Sequence, residues 1–155
     1  MTDYKIIEVT EEPYVYADCQ CAMDPDAINQ TIGKAFEDVM DFIQSHGLTL
    51  TGPALSVYYT FNPETVTFRA GFFVSAEDAK KAHGDIKAAM TPAGRVVNFI
   101  HTGPYTKLGE SYSEMMGWMQ NEGLELGAPT WEVYIDDADT TPQHKLRTDI
   151  FVALA

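Results

Sequence analysis

Apolar residues recur at intervals of three and four from Ile28 through Ile32, Ala35, Phe36, Val39, Met40 and Ile43, the stripe of an amphipathic helix. Asp24-Pro25 stands ahead of it, an acceptor for the first unpaired N–H groups followed by a residue suited to the first helical position. Gly47 follows as a C-cap, so the helix is predicted to run to about Ser45. A second stripe, Leu108, Tyr112, Met115, Met116 and Met119, predicts a helix from about Thr106 to Asn121, capped by Gly123. Both stripes read as core packing.

Shorter runs rich in Val, Ile, Tyr and Phe predict strands at Tyr4–Val9, Tyr14–Met23, Leu55–Phe61, Val66–Val74, Arg95–Thr102, Trp131–Ile135 and Leu146–Leu154. Asn62-Pro63-Glu64-Thr65 and Pro92-Ala93-Gly94 are turns, and Asp136–Gln143 is a long polar one. Ser75–Gly84 is charged and rich in Ala and Lys, which fits a short exposed helix or a crossover loop equally well.

The two halves share more than their element order. Gly47-Leu48-Thr49-Leu50-Thr51-Gly52-Pro53-Ala54-Leu55-Ser56-Val57-Tyr58 aligns with Gly123-Leu124-Glu125-Leu126-Gly127-Ala128-Pro129-Thr130-Trp131-Glu132-Val133-Tyr134 at an offset of 76, with six of twelve positions identical. Upstream, Phe36 meets Tyr112, Met40 meets Met116 and Ile43 meets Met119 at the same offset of 76. Downstream, Arg69–Val74 meets Arg147–Val152 at an offset of 78, an insertion of two residues of the kind loops accept. The chain therefore reads as a duplicated α+β unit, strand–helix–strand–strand twice, with repeat one at about 1–84 and repeat two at about 85–155.

One difference between the copies carries chemistry: Glu132 stands where the first copy has Ser56. Strand side chains alternate, so Trp131, Val133 and Ile135 share one face while Glu132 and Tyr134 share the other. In the first copy Leu55, Val57 and Tyr59 match the first set, and Ser56 and Tyr58 the second. The apolar set is expected to cover the helices. Glu132, Tyr134, Ser56 and Tyr58 would then line a concave opposite face between the units, where a small molecule would sit.

At 155 residues and 45% hydrophobic, the chain has the size and composition of one ordinary domain. Its formal net charge of −13 argues against direct nucleic-acid binding and favours cationic ligands or basic partners. Cys19 and Cys21 have no neighbouring Cys or His to complete a zinc set and are too close in sequence for a good disulfide, so no metal is expected and both read as reduced thiols. The N-terminus lacks a basic region leading into an apolar run, and no apolar run approaches a membrane span, so a cytoplasmic location and no membrane contact are expected. His101 and His144 fall in strand-end or turn contexts and read as surface histidines.

His101-Thr102-Gly103-Pro104-Tyr105 before a helix, Tyr112 within it, Gly127–Tyr134 after it and Arg147–Leu154 at the end together resemble the GyrI-like small-molecule-binding domain family, also called the transcription-activator effector-binding domain. The resemblance implies paired modules about a pseudo-two-fold axis, an architecture shared with SOUL-type proteins, with an antiparallel sheet forming a central ligand cleft. It implies binding of hydrophobic, often planar or cationic compounds, as in multidrug binding, with Glu132 facing the ligand and no cofactor. A chain of this length leaves no room for a DNA-binding domain, so it resembles the free-standing branch, which includes a gyrase-inhibiting protein and hydrolases of cyclopropane-bearing alkylators.

The candidate ligand-binding set is Glu132, Tyr134, Tyr105, Tyr58, Ser56, Phe73 and Phe151. Three functions fit it. The first is a binding module with Glu132 as polar anchor and tyrosine faces offering cation–π attraction. The second is a hydrolase in which Glu132 acts as general base on water, with Tyr134 as a catalytic hydroxyl. The third is a protein-interaction role for acidic runs such as Asp136-Asp137-Ala138-Asp139.

Overall fold

The computed structural model describes residues 2–61 and 64–155. Among these residues, eight strands and three α-helices follow one another as β1 (Lys5–Val9), β2 (Pro13–Ala22), α1 (Pro25–His46), β3 (Leu50–Phe61), β4 (Thr65–Val74), α2 (Ala76–Ala79), β5 (Lys87–Met90), β6 (Gly94–Thr102), α3 (Leu108–Asn121), β7 (Leu126–Tyr134) and β8 (Arg147–Leu154). Single 3-10 turns occupy Tyr105–Lys107 and Gln143–Lys145. The predicted turn at Asn62-Pro63-Glu64-Thr65 lies partly outside the described residues.

Local chemistry accounts for the long elements. The Asp24 side chain accepts from the Ala27 N–H at 3.1 Å, and Pro25 opens α1. Gly47 closes it at φ +65°, a conformation that costs a residue with a Cβ. Gly123 ends the second long helix in the same left-handed region, φ +69°. Ser75–Gly84 resolves into the short α2, whose N-terminus Ser75 caps. The Asp78 carboxylate there accepts from the Thr49 N–H at 2.7 Å and pairs with Lys81 at 2.9 Å, which ties this segment to the start of β3.

All strands join one antiparallel sheet in the order β1-β6-β8-β7-β3-β4-β2-β5. β2-α1-β3-β4 and β6-α3-β7-β8 are the repeated units, and they meet at the central β3–β7 pair. Each unit's leading strand crosses over: β1 pairs with β6, and β5 pairs with β2. The two crossings are tied together where the Thr91 N–H donates to the Glu12 carbonyl at 2.8 Å and the Glu12 N–H to Thr91 Oγ1 at 2.9 Å. β5 was not expected. Its sequence, Lys-Ala-Ala-Met, lacks the β-branched and aromatic residues that mark a strand, and pairing with β2 alone makes it one.

Both faces of the sheet are buried, and the assignment of faces differs from expectation. α1 and α3 pack on the face carrying Val15, Phe68, Val97, Phe99, Ile150 and Val152. In register, Ile150 lies opposite Glu132 and Phe68 opposite Tyr58. Glu132, Tyr134, Ser56 and Tyr58 therefore share the helix face. Leu55, Val57 and Trp131 point the other way, into a cluster with Tyr14, Tyr16, Phe73 and Val96. Ile7 and Val9 of edge strand β1 and Ala89 of edge strand β5 pack on that same cluster, so the sheet curls until its two edges approach each other. That curl lets an apolar face be buried without a helix.

Candidate functional site

The β3–β7 pair sets Ser56 directly opposite Glu132. The repeat offset of 76 converts the first of these positions into the second, so the pair maps onto itself. The pseudo-two-fold axis passes between Ser56 and Glu132. Glu132 thus stands at the centre of the sheet, on its helix face, in the seam between the units.

The carboxylate is 4% exposed and is held by phenols. The Tyr112 hydroxyl, from α3, donates to Oε2 at 2.6 Å, and the Tyr134 hydroxyl donates to Oε1 at 2.8 Å. Ser56 Oγ lies 3.0 Å from the Tyr134 oxygen, which accepts from it once its own proton is directed to the carboxylate. The Tyr58 hydroxyl joins the network through Ser56 and Tyr134. Phe36, from α1, meets the Tyr134 ring edge-on at 6.0 Å, and Tyr105 meets it edge-on at 5.4 Å. Phe36 and Tyr112 are repeat counterparts. The second copy therefore supplies both the carboxylate and the hydroxyl that steadies it, where the first copy has Ser56 and a plain phenyl ring.

Burial disfavours charge on Glu132 and raises its pKa, an effect partly offset by the Tyr112 and Tyr134 hydrogen bonds and by the nearby His101. Burial beside that carboxylate also pushes Tyr58, Tyr112 and Tyr134 well above the usual phenol range. None of the ion pairs among the described residues includes Glu132.

Of the expected site residues, Glu132, Tyr134, Ser56, Tyr58 and Tyr105 come together. Phe73 and Phe151 do not: they lie on the opposite face, where Phe151 stacks on Trp131 at 5.2 Å and 8° between ring planes. Strand alternation put them there once the helices took the Glu132 face. His101 is not a surface histidine but is 7% exposed. Its Nε2–H donates to the Pro104 carbonyl at 3.1 Å, and Nδ1 shares a hydrogen bond with the Ser111 hydroxyl at 2.6 Å. Between His101 and Tyr134 in register lies Thr148, fully buried, whose Oγ1 has no hydrogen-bond partner among the described residues. Sequence reasoning missed Tyr112, His101 and Thr148 as site residues. The signal for Tyr112 was a polar-tipped ring in a core stripe at the repeat position of Phe36.

Tyr112, Tyr134, Tyr105 and Phe36 gather around the carboxylate in this seam. A surface depression of about 340 Å³ lies beside α1 and β2, and one of about 740 Å³ beside α3 and β6 takes in His101 and Ser111; neither includes Glu132. Among the described residues no cluster of His, Cys, Asp and Glu is arranged to hold a metal ion. No helix among the described residues is long and apolar enough to cross a membrane.

A family model for the GyrI-like small molecule binding domain matches residues 2–155. The chain belongs to that family. Several solved structures share the GyrI-like fold with it. The EcmrR C-terminal domain is 24% identical with a TM-score of 0.78, over 100% of this chain and 98% of that one. EcmrR in its complex with DNA is 22% identical with a TM-score of 0.81, and the alignment covers 99% of this chain but only 57% of the EcmrR chain. SAV2435 bound to tetraphenylphosphonium is 14% identical with a TM-score of 0.67, over 99% and 94% of the two chains. A hydrolase from Listeria innocua is 16% identical with a TM-score of 0.64, over 98% and 91%. No curated protein matches this GyrI-like domain.

Proposed function

We propose that this GyrI-like domain binds a lipophilic, planar or cationic small molecule in the seam between α1 and α3, with Glu132 as its polar anchor. The observation that carries the reading is a buried carboxylate with phenol partners and no ion pair among the described residues. Burying a charge without a counter-charge costs several kcal/mol. A bound cation offsets that cost, and the rings of Tyr58, Tyr105 and Tyr134 add cation–π attraction of roughly 0.5–2 kcal/mol each. Glu132 is 4% exposed, so a ligand reaches it only as the side chains packed over it move aside. Tetraphenylphosphonium in the structure of SAV2435 is a lipophilic cation of the kind this site would take.

Titration calorimetry with tetraphenylphosphonium tests the proposal. The wild-type chain should bind it, and Glu132→Gln should weaken binding about tenfold or more, the worth of one charge-assisted contact in a dry site. Equal affinity for both proteins would remove Glu132 as the anchor. Affinity for this permanent cation should also fall as pH drops through the raised pKa of Glu132, because the protonated acid no longer attracts it.

Hydrolysis is the second reading. The observation in its favour is the same raised pKa, which suits a general base, with Tyr134 and Tyr105 close enough to polarise a substrate carbonyl. Incubation with cyclopropane-bearing alkylators separates the two by mass spectrometry. Consumption by wild type but not by Glu132→Gln favours the hydrolase, and recovery of unchanged compound favours the binder.

A further inference from the structure

Thr148 is buried to 0% exposure, and its hydroxyl touches no donor or acceptor among the described residues. The polar groups around it are engaged. His101, its neighbour in β6, uses both ring nitrogens, and Tyr134, its neighbour in β7, bonds to Glu132 and Ser56. The fold does not need a hydroxyl here. The repeat offset of 78 places Ala70 at the corresponding position of β4, equally buried and purely apolar. A hydroxyl left unpartnered in a core is a cost that valine in its place would avoid.

The register puts this hydroxyl beside the anchor. Thr148 pairs with Tyr134 and Ile150 pairs with Glu132, so Thr148 and Glu132 are diagonal neighbours on one face, about 7–8 Å apart. A ligand resting on the carboxylate is within reach of both. The surroundings choose the kind of group. Glu132 and the oxygens of Tyr58, Tyr112, Tyr134 and Ser56 already crowd the seam with acceptors. The Thr148 hydroxyl has a free proton as well as free lone pairs; a carbonyl taking that proton would bring another negative end beside the carboxylate, whereas an N–H donor uses the lone pairs.

We propose that Thr148 is a ligand-binding residue of this seam and that it selects cations bearing an N–H group, protonated primary or secondary amines, over fully substituted cations. The proposal rests on the cation-binding reading of Glu132 and refines it. A quaternary or phosphonium cation satisfies the carboxylate alone; an ammonium satisfies the carboxylate and the threonine together.

The test compares 2-naphthylmethylammonium, its N,N,N-trimethyl analogue and tetraphenylphosphonium by titration calorimetry on wild type, Thr148→Val and Thr148→Ser. The two naphthyl probes differ in hydration, so the quantity read is the change in their affinity ratio between proteins. Wild type and Thr148→Ser should favour the ammonium by about tenfold more than Thr148→Val does, the effect of one hydrogen bond in a dry site. Tetraphenylphosphonium affinity should not change with the threonine. Thr148→Val should melt at or above the wild-type temperature, and a lower melting temperature would make the hydroxyl structural and overturn the proposal. An unchanged ratio in the variant overturns the role of Thr148 while leaving the Glu132 site intact. Failure of wild type to bind any of the three probes overturns both.

Discussion

Glu132 is buried as thoroughly as the valines around it, and its stability contribution has a definite sign. Its pKa in the folded chain lies above that of an ordinary glutamate, so the native state holds the proton more tightly than the unfolded one. The contribution is fully present below the unfolded pKa and is lost as pH rises through the folded one. Glu132→Gln should therefore match wild type in melting temperature under acid conditions and gain on it progressively as pH rises through that window. A difference that stays flat from acid to neutral pH would mean that the carboxylate is solvated. Ser56→Glu tests the same seam from the other strand. Ser56 is 0% exposed and directly paired with Glu132, so the new carboxylate would sit about 5 Å away at Cβ with no room for water. We expect destabilisation of more than about 3 kcal/mol at neutral pH, eased by acid, in denaturant melts. At this scale the candidate site was half legible. The Glu132–Ser56 difference stood out because the repeat aligned them. Tyr112 did not, because a tyrosine in a helical core stripe has the periodicity of any packed ring, and the Thr148–Ala70 difference between the copies says nothing of whether the hydroxyl finds a partner.

The repeat is also written into the irregularities of the strands. β3 breaks register between Leu50 and Ala54, and β7 between Leu126 and Thr130, positions related by the offset of 76. Each break holds a proline, Pro53 or Pro129, which has no N–H to give a ladder. Gly71 in β4 marks a tighter place. It pairs with Tyr16 and Leu55, and a Cβ on it would fall 1.9 Å from the Val15 carbonyl oxygen, with backbone rather than a yielding side chain in the way. Gly71→Ala should cost at least about 3 kcal/mol in chemical denaturation, since β2 must move to admit it; a loss under about 1 kcal/mol would show that the strands part easily there. The helices, their caps and most strands were legible, because amphipathic period, Asp-Pro and Gly are local signals. Which face the helices cover was not. Trp131, Val57 and Leu55 look like the side that wants a helix, but the curled sheet buries that side by itself, and the choice depends on how distant strands β1 and β5 close.

At the scale of the whole molecule, charge acts on folding and on binding with opposite sign. The chain carries 23 acidic and 10 basic residues, a formal net charge of −13. Its ion pairs do little to relieve this, because several, such as Lys34–Asp38 and Lys87–Asp18, join side chains that are about half or more exposed. Self-repulsion at low salt therefore opposes the compact state. Added salt shortens the screening length from about 30 Å at 0.01 M to about 8 Å at 0.15 M, so melting temperature should rise over that range. The same field draws cations toward the protein, and screening it should slow their association. Glu132 is different in kind: it lies in a dry seam at 4% exposure, beyond the reach of mobile ions once a ligand covers it. Salt should then weaken the binding of tetraphenylphosphonium almost wholly through a slower association rate, with the dissociation rate nearly constant. Stopped-flow traces at the two ionic strengths measure both rates. A dissociation rate that rises with salt by as much as association falls would place the bound cation at the acidic surface, among the solvated carboxylates, and not on Glu132.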